Sequence, residues 1–204
     1  VINEVSASLR PLYELFEQDS NYPDDLFLTS SQAMNMADEN SMVVVVDTNR
    51  PMMTECEELL KTTKTIVVLD HHRQSSDNID NALLSYIEPY ASSACEMVSE
   101  VLQYIVDGIK IPKIEASSLY AGIMIDTNNF VNSTGVRTFE AAAFLRRCGA
   151  DITLVRKSLH MVALFGKHLS HIPLYTIIAA YRIPPTKTLI VSPKTKRIST
   201  VNSI

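Results

Sequence analysis

Apolar runs that end abruptly on polar residues dominate the pattern of this chain. Residues 42–46 and 65–69 are unbroken stretches of apolar or β-branched residues of strand length, typical of strands buried on both faces of a parallel sheet. A third run, 122–125, ends in the same way, although the longer stretch 116–124 fits a helix as well as a strand. Helical periodicity is predicted before, between and after these runs, at 30–38, 92–105 and 138–147. Strands alternating with helices predict an α/β fold, with a mostly parallel sheet flanked by helices.

Length and composition suit a globular protein. The chain has 204 residues, of which 46% are hydrophobic and 20% charged, enough for one sizeable core. Its three cysteines, Cys56, Cys95 and Cys148, are scattered and odd in number, which argues against a disulfide framework and favours a reducing, cytoplasmic location. Because no run reaches the roughly 18 apolar residues of a membrane span, we expect no membrane contact from this segment.

The charge changes sign along the chain. All 23 acidic residues lie at or before Asp151, whereas residues 152–204 carry 8 Lys or Arg and no acid. A basic tail is compatible with nucleic-acid contact, but these charges are interleaved with prolines and lack the aromatic partners of a stacking site. We therefore expect no duplex nucleic acid as a partner.

The polar residues that end the apolar runs carry the candidate chemistry. Asp47-Thr-Asn follows the first run, Asp70-His71-His72 ends the second, and Asp126-Thr-Asn follows the third. Open α/β sheets bind ligands beyond the carboxyl ends of their strands, and Asp together with His suits Mn²⁺, Fe²⁺ or Zn²⁺. Asp47 or Asp126 taken alone is more often an Asx turn that closes a strand, and a bare pair such as His71 and His72 is more often a pair of surface imidazoles than a pair of ligands. Their repetition within one chain favours a shared metal and phosphate site.

Two further candidates each have a structural alternative. Ser92 and Ser93 precede a predicted helix, whose free N–H groups suit a phosphate, but an ordinary N-cap explains them equally well. Arg137 lies between a Gly-containing turn and the start of a helix. It is predicted either to clamp a phosphate bidentately or to pair with Glu140 on the surface.

These motifs together resemble the DHH phosphoesterase superfamily and, within it, the cyclic-di-AMP phosphodiesterases of the GdpP type. The resemblance rests on the order and strand context of the motifs above, joined by Ala91-Ser92-Ser93-Ala94 and the segment TGVRTFEAA at 134–142. It covers roughly residues 1–158 and implies that they form a partial DHH domain, followed by a divergent tail of uncertain fold over 159–204. The implied activity of the complete parent is the hydrolysis of cyclic-di-AMP to linear pApA. The implied cofactor is Mn²⁺, with two ions in a complete site that activate a water for in-line attack.

The resemblance also implies a role for each candidate residue. Asp47 would bridge the two metals, and His71 and Asp126 would be terminal ligands. Asp70 would orient the histidines, and His72 would contact the scissile phosphate or the attacking water. The residues implied on the substrate side are Ser92, Ser93 and Arg137.

The family's first motif, a His followed by Pro-Asp-x-Asp, and its DHHA1 domain are not found in the sequence. We therefore expect an N-terminally truncated DHH domain with an irregular C-terminal tail, weakly active or inactive by itself. The complete parent would be the enzyme, anchored through upstream segments with this domain facing the cytosol. Two other functions stay open: an oligoribonuclease (nano-RNase) of the same superfamily, acting on short oligonucleotides, and a non-catalytic nucleotide-binding fragment. The oligomeric state is open too, a homodimer included.

Overall fold

A four-stranded parallel sheet lies at the centre of the computed structural model, which describes residues 1–5, 10–74, 76–105, 108–157 and 188–194. The strands are β1 (Met42–Val46), β2 (Thr65–Asp70), β3 (Leu84–Ile87) and β4 (Thr188–Val191), in the order β3-β2-β1-β4. Each neighbouring pair is parallel. The helices are α1 (Arg10–Glu17), α2 (Ser30–Met36), α3 (Ala94–Ile105), α4 (Lys113–Asp126) and α5 (Val136–Arg147). Two 3₁₀ turns, Pro51–Met53 and Glu57–Lys61, connect β1 to β2.

The valines of β1 pack into two separate cores. Val44 and Val46 join a cluster with residues of α3, α4 and α5, whereas Val43 and Val45 join a second cluster with residues of α2 and the second 3₁₀ turn. Successive side chains of a strand point to opposite faces of the sheet. Since each face of β1 packs against one of the two clusters, all four valines are fully buried. The predicted fold class, a mostly parallel sheet flanked by helices, is therefore confirmed.

The predicted strand ending at Asp126 is wrong. Residues 122–126 form the last turns of the helix α4, and the alternative of a helix over 116–124 is the one found. Residues 115–124 are all buried, so this helix has no solvent-exposed polar face from which its helical period could be recognised. A short apolar run of this kind does not distinguish a buried strand from a buried helix.

A strand from the predicted tail completes the sheet. β4 pairs with β1 from Met42↔Thr188 to Val45↔Val191, and its residues Leu189, Ile190 and Val191 are buried. The sequence analysis assigned no strand here. Residues 158–187 and 195–204 lie outside the described part of the chain, so the boundary at 158 stays a prediction. Among the helices of the described ranges, none is long and apolar enough to cross a bilayer.

Candidate metal centre

The parallel pairing of β1 and β2 brings the two central motifs to the same edge of the sheet. Val46 is paired with Leu69, so Asp47, which follows β1, lies level with Asp70 at the end of β2. The backbone N–H of Asp47 extends this pairing by donating to the carbonyl of Leu69 at 2.9 Å. The predicted placement of both motifs beyond the carboxyl ends of strands is what the structure has.

Asp47, His71 and His72 converge as potential metal ligands. Each offers one ligand atom, and these atoms all lie within 4.8 Å of one another. The closest contact between Asp47 and His71 joins Oδ1 to Nε2 at 3.3 Å. The contact of His72 with the scissile phosphate or the attacking water stays a prediction, and the structure puts its ring in the same group as the two predicted ligands.

Asp70 lies behind this group and fixes its neighbours. The carboxylate is completely buried. Its Oδ1 lies 2.7 Å from Nδ1 of His72 and accepts a hydrogen bond from the backbone N–H of His72 at 3.1 Å, while Oδ2 accepts one from Nδ2 of Asn49 at 2.6 Å. Because a buried carboxylate accepts the Nδ1 proton, the ring of His72 has Nε2 left for a metal or a phosphate.

Two features of the first motif fit a bound cation. Asp47 has a φ of 63°, a left-handed conformation that is uncommon outside glycine and concentrates at functional sites. Asn49 is buried, and its Oδ1 has no hydrogen-bond partner among the described residues. A buried acceptor without a donor is costly unless a cation or another ligand satisfies it. With one carboxylate and two imidazoles beside it, the donor set suits a divalent transition metal.

Asp126 approaches this group from α4. It is not among the three converging residues, but it is close enough to interact electrostatically with Asp47 and His71. Burial, and then the charge of Asp47, raises the pKa of Asp126 to about 7. After α4, the chain passes through three successive left-handed residues, Asn128, Asn129 and Phe130, so the turn beside Asp126 is conformationally strained.

The two histidines are electrostatically tied to the acids. Burial by itself would lower the pKa of His71, but its hydrogen bond to Asp47 and the surrounding carboxylates give a net upward shift. The hydrogen bond to Asp70 raises the pKa of His72 against the opposing effect of burial. A metal at this position would therefore compete with protons, because the ligating atoms must be deprotonated.

Ser92 and Ser93 lie at the start of α3 and are both buried. The Ser92 hydroxyl hydrogen-bonds to the carboxylate of Glu96, and the Ser93 hydroxyl accepts from the backbone N–H of Glu96 at 3.0 Å. This is the arrangement of a helix cap. The structure thus supports the capping alternative for these residues, and their substrate contact stays a prediction.

Arg137, the predicted phosphate clamp, is already paired with acids. Its Nε and Nη2 contact the two carboxylate oxygens of Glu100 at 2.7 and 2.6 Å, and Nη2 also donates to the hydroxyl of Tyr86 at 3.0 Å. Glu88 lies 3.5 Å from Nη1. The acidic partner is Glu100 of α3 rather than Glu140, and the guanidinium joins β3, α3 and α5.

Sequence reasoning missed a cavity beside the metal ligands. It has a volume of about 220 Å³ and lies against Asp47 and His72, with Asn49, Arg50 and Arg73 in its lining. The signal was present, since Arg50 and Arg73 directly follow the Asp-Thr-Asn and Asp-His-His motifs. Both arginines are exposed, and charged residues met in a sequence are usually solvated surface residues.

Comparison with known proteins points to one family. Residues 5–123 match the model of the DHH family, N-terminal domain. The chain is 46% identical over 133 residues to the cyclic-di-AMP phosphodiesterase GdpP of Bacillus subtilis, covering 65% of the chain and 20% of that protein. It is 43% identical over 147 residues to the cyclic-di-AMP phosphodiesterase PdeA of Listeria monocytogenes, covering 71% of the chain and 22% of that protein.

A third relative has a name that gives a different activity. The bifunctional oligoribonuclease and PAP phosphatase NrnA of Mycoplasma genitalium is 33% identical over 137 residues, covering 64% of the chain and 42% of that protein. The chain thus spans about a fifth of the length of the two phosphodiesterases and less than half of NrnA. Because the family model covers more than half of the residues and includes both strand-end motifs at Asp47 and Asp70, this chain belongs to the DHH family.

Proposed function

We propose that this chain contributes the metal site of a metal-dependent phosphodiesterase that hydrolyses cyclic-di-AMP to linear pApA. The observation that carries the proposal is the convergence of Asp47, His71 and His72 at the sheet edge, in a chain that is 43% and 46% identical to cyclic-di-AMP phosphodiesterases. Mn²⁺ is the proposed metal, with two ions in a complete site. When bound, such ions activate water and neutralise charge on the phosphate.

In this proposal each of the chain's site residues has its own role. Asp47 and His71 hold the metal, and Asp126 joins them from α4 once its carboxyl group is ionised. Asp70 keeps the hydrogen bond that Nδ1 of His72 donates to it, so that Nε2 of His72 is left for the metal or the phosphate. Attack of water on phosphorus breaks one P–O3′ bond, which leaves a free 3′ hydroxyl and a 5′ phosphate and so opens the ring. Ser92, Ser93 and Arg137 are proposed on the substrate side.

A second candidate is the cleavage of short oligonucleotides. It is favoured by the 33% identity to NrnA, whose name includes oligoribonuclease activity. The chemistry at phosphorus is the same for both substrates. What separates them is whether the substrate is a closed ring or a short linear strand.

The test is hydrolysis of each substrate by the chain, with Mn²⁺ or with EDTA, followed by chromatography of the products. We expect weak, Mn²⁺-dependent formation of pApA from cyclic-di-AMP by this chain, lost in Asp47→Asn and His71→Ala and kept in Asp80→Asn. The control Asp80 is an exposed carboxylate in the loop before β3. Degradation of short RNA with cyclic-di-AMP left intact would assign the oligoribonuclease activity instead. Binding of nucleotide without turnover of either substrate would indicate a non-catalytic fragment.

A further inference from the structure

Two arginines border the cavity beside the metal ligands. The Asp-Thr-Asn motif continues into Arg50 and the Asp-His-His motif into Arg73, and both residues line the same cavity of about 220 Å³. Since β1 and β2 are adjacent and parallel, the residues that follow their carboxyl ends face each other across this edge of the sheet. Two arginine residues therefore border one cavity without being neighbours in sequence.

The acids and the arginines that line the cavity differ in their ion pairing. Asp70 is engaged by His72 and Asn49, and Asp47 contacts His71. By contrast, neither Arg50 nor Arg73 forms an ion pair with any residue in the ranges that the structure describes. The acids of the wall already have basic partners, whereas the two arginines have charge available for an anion.

This distribution distinguishes the two arginines from Arg137. The guanidinium of Arg137 already has a bidentate contact with Glu100 and lies near Glu88. To bind a phosphate, Arg137 would have to give up contacts of the same strength as those it gains. Arg50 and Arg73 lose only hydration, which is weaker for a guanidinium than for an ammonium group.

The wall that carries Arg50 is held in place by its neighbours. The 3₁₀ turn after Arg50 begins with Pro51, whose fixed φ suits a first helical position. Thr54 forms a β-bridge with Pro193, and Lys194 donates its backbone N–H to the carbonyl of Met53 at 2.6 Å. Met53 and Pro193 are both part of the cavity lining. The segment after β4 thus closes one side of a preformed cavity.

We propose that this cavity is a phosphate-binding subsite, in which Arg50 and Arg73 together hold a phosphate group of the nucleotide substrate beside the metal ligands. Guanidinium groups bind phosphate through paired, charge-assisted hydrogen bonds, and two of them at one cavity favour an anion over a neutral ligand. The inference rests on the proposed function for the identity of the substrate. Its geometry does not depend on which phosphodiester is cleaved.

The test compares the binding of 5′-AMP and adenosine to the chain by titration calorimetry, in EDTA and again with Mn²⁺, at constant ionic strength. We expect AMP to bind more tightly than adenosine, and the Arg50→Gln, Arg73→Gln double variant to weaken AMP binding by at least about tenfold. Adenosine binding should not change. The matched control is Arg147→Gln, an exposed arginine at the end of α5, which should bind both ligands as the unchanged chain does.

Unchanged AMP affinity in the double variant would overturn the subsite. Circular dichroism of each variant shows whether a loss of AMP binding is caused by unfolding. If the double variant is unfolded, the Arg50→Lys, Arg73→Lys variant is used in its place, because lysine keeps the charge but loses the paired contacts. The proposed function fails separately. Arginine-dependent AMP binding without hydrolysis of cyclic-di-AMP would keep the subsite and reject the activity. Hydrolysis of cyclic-di-AMP with an unchanged KM in the double variant would keep the activity and reject the subsite.

Discussion

Asp70 holds His72 at two points, through the imidazole at 2.7 Å and through the backbone N–H at 3.1 Å. The same carboxylate oxygen makes both contacts, so the ring is fixed relative to its own backbone. Since the carboxylate is completely buried, water does not compete for these contacts. The result is an imidazole whose orientation and tautomer are set before any ligand arrives.

Replacing Asp70 by Asn should therefore weaken metal binding without removing a metal ligand. An amide lacks the charge that holds the Nδ1 proton of His72, and loss of such a partner typically costs about 10- to 100-fold in metal affinity. We expect a decrease of this size for Mn²⁺, measured by titration calorimetry with the metal-free chain. Asp80→Asn makes the same chemical change at an exposed position and should leave the affinity unchanged. Equal Mn²⁺ affinities in all three chains would show that Asp70 does not position His72.

A second prediction concerns the packing of the N-terminal segment on α4. The Tyr22 hydroxyl donates to Oε1 of Glu115 at 2.9 Å, and Glu115 is completely buried near the start of α4. Tyr22→Phe removes a hydrogen bond to a buried acid, which should lower the free energy of unfolding by about 1–3 kcal/mol. Tyr104→Phe removes the same hydroxyl from a ring that is 87% exposed and should have almost no effect. Urea unfolding of both variants makes the comparison, and equal midpoints would mean that the Tyr22 hydroxyl contributes nothing.

The pairing of Arg137 with Glu100 leads to a third prediction. If the contacts of the guanidinium hold β3, α3 and α5 together, the effects of Arg137→Gln and Glu100→Gln on the free energy of unfolding should not be additive. We expect a coupling of about 1 kcal/mol in the free energy of unfolding, at the upper end for exposed pairs because the contact is bidentate. The double-mutant cycle measures it directly. A coupling indistinguishable from zero would instead leave Arg137 free for the substrate role implied by the family resemblance.

Local sequence predicted the sheet and its motifs better than it predicted the partners of individual side chains. The strands that precede Asp47 and Asp70 were found because a buried parallel strand is apolar throughout. The helix that ends at Asp126 was predicted only as an alternative to a strand, because residues 115–124 of α4 are all buried and show no helical period. The acidic partner of Arg137 lies 37 residues away, at Glu100. A contact of that kind depends on the crossing of α3 and α5, which no local pattern encodes.

The same limit explains why β4 and the cavity were missed. Thr188–Val191 is only four residues long, and in a basic, proline-containing segment such a run is a weak strand signal. It becomes a strand because it pairs with β1 along its whole length. Pro193 then closes the cavity beside Arg50. Both outcomes depend on pairing between residues far apart in sequence.

The raised pKa of Asp126 leads to a fourth prediction: the metal-free chain should lose stability as the pH rises. Burial, and then the charge of Asp47, raises this pKa from 3.8 to about 7, so the folded chain binds a proton that the unfolded chain has already released. The stabilisation is fully present below the unfolded value and is lost as the pH rises through about 7. Its size is at most about 4 kcal/mol. The raised pKa values of His71 and His72 act in the same direction.

Thermal unfolding between about pH 5 and pH 8 tests this prediction. In EDTA, the melting temperature should fall across this range, and Asp126→Asn should flatten the decrease and raise the melting temperature at the alkaline end, because the amide has no charge to desolvate. Saturating Mn²⁺ should oppose the decrease in the unchanged chain, since deprotonated ligands bind the metal more tightly. Asp80→Asn should follow the unchanged chain in both conditions. An undiminished pH slope in Asp126→Asn would show that another group binds the proton, and that the acidic side chain from α4 does not control metal binding at neutral pH.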